Sequence, residues 1–330
     1  MNESPLAPIR SAGLLITTWC PARCRHCYVC AGPERSAWMT VDEARGHFAA
    51  LARLGAAAEG IHVTGGEPFG DVDRLVAIVR AARDVGLGGV GFVETSGYWA
   101  TSDAVVRDRL RALREAGMRQ VAISADPFHQ EFVPPNRVRR LYDVACEVLG
   151  PGGVRARRWM WLKEPRDVAA MPQADRGRLF AEFLARYPER IVGRAATQLA
   201  SLVPRRPVEQ LPDEGCRAAL LASGHVHILP GGWVYPGTCG GLLLGRAAAD
   251  AGGQPLDAIL GDWRLRDAPT VARLADAGPK ALLSDATVHG FTPDPDGYAG
   301  KCHLCWSVRR FLLQTGASAR DVGPPEMYEP

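Results

Sequence analysis

Hydrophobic and polar positions over the first two hundred residues alternate between two textures. Short apolar runs stand at 14–18, 60–64, 90–95, 120–124, 154–162 and 191–197. Between them, apolar residues recur at helical spacing, as in Val41, Ala44, Phe48, Leu51 and Leu54, or Val138, Leu141, Tyr142, Ala145, Val148 and Leu149. That alternation predicts repeated strand-helix units around parallel strands, an α/β fold. Six units are too few to close an eight-stranded barrel, so the pattern predicts a partial (β/α)6 barrel. Functional groups are then expected on the loops after the strands' carboxyl ends.

The texture changes after residue 200. A basic, proline-rich stretch makes 201–214 a linker, and residues 215–317 form a smaller α+β module. Within it, apolar residues at 225–229 and 233–235 flank Pro230, Gly231 and Gly232, which predicts a hairpin. Helical patterns follow at 264–277, 279–287 and 305–314. Residues 1–12 are read as an N-terminal extension, 13–200 as the barrel, and 318–330 as a loose tail.

Composition narrows the class. A formal net charge of +3 over 330 residues supplies no field that would recruit nucleic acid or an anionic membrane. No secretory leader and no long apolar run is present, so a cytoplasmic protein is expected. In that compartment nine cysteines point to metal ligation or redox chemistry rather than disulfides.

The cysteines fall into two sets. Cys20, Cys24 and Cys27 form CxxxCxxC directly after the first apolar run. Three thiolates can hold three irons of a cubic four-iron cluster and leave the fourth iron open for a chelating small molecule. A zinc site drawing on Cys24, Cys27, Cys30 and His26 is the alternative. Cys216, Cys239, Cys302 and Cys305 form the second set, and four thiolates suit a closed cluster or a structural zinc equally. Cys146 reads as a small core residue, and Cys30 as a loop residue or a hydrogen-atom donor. After the second apolar run comes Thr64-Gly65-Gly66-Glu67-Pro68, where two glycines admit close approach to the backbone and a carboxylate can accept from an ammonium group.

Together, the strand, CxxxCxxC, the next strand and GGEP resemble the radical S-adenosylmethionine (SAM) superfamily from about residue 12 to 198. The resemblance implies a SAM-binding [4Fe-4S] cluster on Cys20, Cys24 and Cys27, with SAM cleaved to a 5'-deoxyadenosyl radical. It implies that Gly65, Gly66, Glu67 and Pro68 bind the SAM amino group, Tyr28 contacts adenine, and Arg194 lies near the SAM carboxylate. Thr95 and Ser96 after the third strand, and Ser124 and Asp126 after the fourth, are candidates for the ribose hydroxyls.

The second cysteine set resembles the twitch domain, a shortened SPASM domain that carries one auxiliary [4Fe-4S] cluster on Cys216, Cys239, Cys302 and Cys305. This branch, typified by 2-deoxy-scyllo-inosamine dehydrogenase, implies oxidation of an alcohol in an aminocyclitol or aminoglycoside-type intermediate. Aminoglycoside-sugar epimerases, peptide-modifying members and a non-catalytic iron- or zinc-binding protein are the alternatives. Only about a dozen residues precede the first strand, which counts against the peptide-modifying reading. Candidate catalytic residues are His129 and Glu131 after strand four and Arg158 on strand five, with Arg155 and Arg157 on one face of that strand. No flavin or nicotinamide fingerprint appears, so an external flavodoxin- or ferredoxin-type donor is expected.

Overall fold

The computed structural model describes residues 6–248 and 254–330. Its centre is one eight-stranded sheet in the order β5-β4-β3-β2-β1-β6-β7-β8. The strands are β1 (Ser11–Leu15), β2 (Ile61–Thr64), β3 (Val90–Thr95), β4 (Met118–Ser124), β5 (Val154–Arg157), β6 (His225–Ile228), β7 (Trp233–Pro236) and β8 (Gly245–Arg246). From β5 across to β6 every pairing is parallel, and β6-β7-β8 is antiparallel. The α/β reading holds.

Helices Val41–Arg53, Val72–Ala82, Asp103–Ala116 and Pro135–Leu149 connect the parallel strands. The first begins at a capping box, in which Thr40 accepts from the Glu43 N–H and Glu43 accepts from the Thr40 N–H. Because side chains alternate along a strand, β1 to β4 turn Ala12, Leu14, Ile61, Val63, Val93, Val121 and Ile123 to one face, all buried in a single hydrophobic cluster with Phe48, Leu75 and Leu110. The opposite face is unusually polar. It carries Ser11, His62, Thr64, Glu94, Gln120, Ser124, Arg155, Arg157, His225 and His227.

Several expectations are corrected. Residues 191–197 form no strand: Gly193 has φ +59°, and the Arg194 N–H donates to the Cys27 carbonyl at 3.0 Å, so the segment is pinned to the cysteine loop and then becomes helix Arg194–Gln198. The sixth parallel strand is instead β6, on the far side of β1, so the sheet runs across the 201–214 segment into the hairpin. Strand five stops at Arg157, because Arg158 is left-handed (φ 62°) and opens helix Trp159–Lys163. A short apolar run there fits either period.

Further along, the helical patterns at 264–277 and 279–287 merge into one helix, Pro269–Thr287, kinked at Gly278. The last helix starts earlier, as Lys301–Gln314. The tail is not loose: Val322, Met327 and Tyr328 are buried, and the Tyr328 hydroxyl donates to the Gly241 carbonyl at 2.6 Å. Among the described residues, no helix is long and apolar enough to cross a membrane.

Two cysteine-lined cavities

The loop after β1 and the loop after β2 are joined backbone to backbone. The Gly66 N–H donates to the Thr17 carbonyl at 2.7 Å and the Glu67 N–H to the Trp19 carbonyl at 2.8 Å. A Cβ on Gly65, whose φ is +129°, would stand 2.5 Å from the Thr17 oxygen, and one on Gly66 would stand 1.9 Å from the Trp19 oxygen. These glycines therefore admit the cysteine loop itself, in addition to any ligand. Glu67 is fully buried behind this contact, accepting from Thr95 Oγ1 (2.8 Å), the Ser96 N–H (2.9 Å) and Ser96 Oγ. Burial raises its pKa despite those bonds. Its carboxylate positions the Thr95-Ser96 turn and does not reach the cavity in front.

That cavity, of about 420 Å³, lies over the carboxyl ends of the strands and is lined by Cys20, Cys24, Cys27, Tyr28, Gly65, Gly66, Thr95, Ser96, Ser124 and His129. Pro68, Asp126 and Arg194 sit behind its wall. Arg194 is 2% exposed and donates to the carbonyls of Cys24 (3.1 Å) and Ala31 (2.8 Å), so it clamps the cysteine loop. Burial pushes the Cys20 and Cys24 thiols well above the ordinary range.

The catalytic candidates separate. Asp126 accepts from the Phe128 and His129 N–H groups and lies 2.9 Å from His129 Nδ1. Burial disfavours its charge, yet His129, His26 and those bonds outweigh burial and hold it well below the carboxylate range. An ionised carboxylate only accepts, so Nδ1 of His129 carries a proton toward Asp126. His26, packed on Phe128 with ring centroids 4.8 Å apart, is pushed down to about 4 by burial. Glu131 is corrected: it is spent on Arg25 (2.8 Å) and Arg176 (3.2 Å) away from the cavity. Arg158 is corrected too, because its left-handed backbone turns it onto Glu189 and the Tyr187 ring. Arg157, Glu189 and Arg190 line the cavity instead.

A second cavity, about 50 Å³, gathers Cys216, Cys239, Cys302 and Cys305. Cys216 precedes helix Arg217–Leu220, Cys239 follows β7, and the other two stand on the first two turns of Lys301–Gln314. The backbone before Cys216 nests on the kinked helix, where a Cβ on Gly278 would stand 2.1 Å from the Glu214 oxygen. Burial raises all three shifted thiols, Cys305 to about 11. Lys301, Arg190 and Arg309 stand around them. Tyr28, Arg190, Val192 and Thr238 line both cavities and form the wall between them.

The model of the family described as the radical SAM superfamily matches residues 14–149. Over this segment the chain is similar to the radical SAM superfamily. A GTP 3',8-cyclase of Acidothermus cellulolyticus is 32% identical over 135 residues, 38% of this chain and 34% of that protein, so the match spans about a third of the relative's length. Among solved structures, BtrN in complex with AdoMet and 2-DOIA has a TM-score of 0.42 at 12% identity, covering 82% of this chain and 89% of BtrN. SuiB of Streptococcus suis, bound to S-adenosylmethionine, has a TM-score of 0.40 at 15% identity, covering 69% and 60%.

The radical SAM family implies a [4Fe-4S] cluster and SAM, and the residues around the first cavity fit both. Three thiols share its wall. The loop's remaining cysteine, Cys30, turns its thiol to the Met327 carbonyl at 3.6 Å and stays out of the cavity. Three thiolates rather than four leave one iron for a chelating ligand. The zinc arrangement would need Cys30 together with His26, Cys24 and Cys27, and of these four Cys30 alone stays out of the cavity wall. Sequence reasoning missed Glu189 and Arg190, between helices Gln173–Arg186 and Arg194–Gln198, and Thr238, after β7, since nothing in their local pattern marks segments that meet the cysteine loop.

Proposed function

We propose that the protein is a radical SAM oxidoreductase carrying two [4Fe-4S] clusters, one on Cys20, Cys24 and Cys27 and an auxiliary one on Cys216, Cys239, Cys302 and Cys305. The observation that carries this reading is the wall shared by the two cavities, Tyr28, Arg190, Val192 and Thr238. When bound, the first cluster with SAM supplies hydrogen-atom abstraction from an unactivated carbon, and the second supplies a one-electron acceptor. Oxidation of a secondary alcohol to a ketone requires both, together with a base for the hydroxyl proton. The cysteine order of the second set resembles the twitch domain, and the substrate class we propose is an aminocyclitol or aminoglycoside-type intermediate. An external flavodoxin- or ferredoxin-type protein is the proposed electron donor.

In this reading Gly65 and Gly66 present backbone groups to the SAM amino group, while Thr95, Ser96 and Ser124 face the ribose. Glu67 acts through Ser96 and Thr95. Tyr28 stands by adenine, its hydroxyl 3.3 Å from that of Tyr235. His129, oriented by Asp126, takes the hydroxyl proton at Nε2. Arg190 and Arg309 offset the negative charge of four thiolates. The test incubates anaerobically reconstituted protein with SAM, a reductant and a panel of aminocyclitols in deuterated water. Loss of two hydrogens matched by 5'-deoxyadenosine is expected. A substrate that gains one deuterium at carbon without oxidation would make the protein an epimerase.

A further inference from the structure

Below the first cavity, on the polar face of the sheet, three histidines from two strands converge over a glycine. His62 of β2 and His227 of β6 are both register partners of Gly13 in β1, and His225 pairs with Ser11. Their ligand-capable nitrogens all lie within 4.8 Å of one another. A Cβ at residue 13 would stand 2.5 Å from His62 Nε2 and 2.4 Å from His227 Cδ2. Gly13 lies in mid-strand and has no positive φ, so its lack of a side chain serves to make this room.

The rings are braced as ligands are. His227 Nδ1 is hydrogen-bonded to the Gly237 carbonyl, which only accepts, so its Nε2 carries a lone pair. His225 Nδ1 lies 2.7 Å from Ser11 Oγ. Phe92 stacks on His62 at 4.8 Å and Tyr235 on His227 at 5.1 Å. His62 and His225 stack in parallel at 5.6 Å and His227 stands edge-on to His62, so three imidazole nitrogens gather at one point, a donor set that suits a borderline divalent cation.

We propose that His62, His225 and His227 form a zinc site, with water as fourth ligand, that fastens the β6-β7 hairpin to β1 and β2. Ligand nitrogens on one tetrahedral zinc lie about 3.3 Å apart at bonds of about 2.0–2.1 Å, so the nitrogens close by up to about 1.5 Å and the parallel His62 and His225 rings turn toward the ion.

The experiment uses the full chain, reconstituted with iron and sulfide so that its cysteines are occupied, and titrates zinc against a chromophoric chelator. X-ray absorption at the zinc edge then reads the ligands. One tightly held equivalent with nitrogen or oxygen at about 2.0–2.1 Å and no sulfur at about 2.3 Å is expected. His62→Gln should weaken binding at least tenfold, and Ser11→Ala, which leaves all three ligands in place, about 10- to 100-fold. Zinc should raise the melting temperature of the unmodified protein and not that of His62→Gln. Sulfur in the zinc shell, or affinity unchanged in both variants, would overturn the proposal. Should His62→Gln fail to fold, Ser11→Ala decides alone.

Discussion

Cys20, Cys24 and Cys27 come from one short loop, whereas Cys216, Cys239, Cys302 and Cys305 are drawn from about ninety residues and three separate elements. The first set is held by its neighbours in the sheet: β1 delivers the loop, Gly65 and Gly66 let it lie against the loop after β2, and Arg194 holds two of its carbonyls. The second set depends on a kinked helix, a hairpin and the start of another helix meeting correctly. A local site stands on backbone contacts, and an assembled site stands on tertiary packing, so the two should fail separately.

The largest expected effect is from Cys24→Ala. If each cysteine set holds a four-iron cluster, as proposed, this change should abolish 5'-deoxyadenosine formation and lower iron by about half while the second set keeps its share. Iron analysis with deoxyadenosine assay checks both, and loss of all iron would show that the sites are not separable. Next, Cys302→Ala should also lower iron by about half, with SAM cleavage retained and ketone formation lost. Retained ketone formation would break the two-cavity reading.

A Gly66→Ala change drives a methyl into the Trp19 carbonyl, with an expected loss of about 2–4 kcal/mol in denaturant unfolding and poorer iron retention in the first set only. The smallest effect concerns the junction of the two regions, where Glu43 accepts from the Gly231 N–H at 2.7 Å at the hairpin tip. Burial raises the Glu43 pKa, but bonds from His47, Thr40 and Gly231 outweigh it and the net shift is below the ordinary 4.5. A lowered folded pKa means this contribution is full above pH 4.5 and is lost as pH falls through the folded value. Glu43→Gln should therefore flatten the acid limb of the melting temperature against pH, and an unchanged limb would remove Glu43 from the junction.

Legibility in the sequence follows the same division. β1 to β4, the helices between them and the cysteine-glycine loops were readable, because alternation, helical spacing and turn residues act within a few positions. The sixth parallel strand was not, because β6 is chosen by its partner β1 some two hundred residues away. Glu131 reads as a free base in the sequence, but Arg25 from the cysteine loop and Arg176 from helix Gln173–Arg186 both reach it. Arg158 lost its place to Arg157 through a single left-handed residue. Asp126 and His129, three residues apart, were legible as candidates, though their bond was not.

The tail has a consequence for biosynthesis. Met327 receives the Cys30 thiol across 297 positions of chain, and Glu329 pairs with Arg35 at 3.0 Å. At about 5–20 residues per second, a ribosome needs roughly 15 to 60 s to travel that distance. Throughout that interval Cys30 and Arg35 lack their partners, and only the arrival of the tail supplies them.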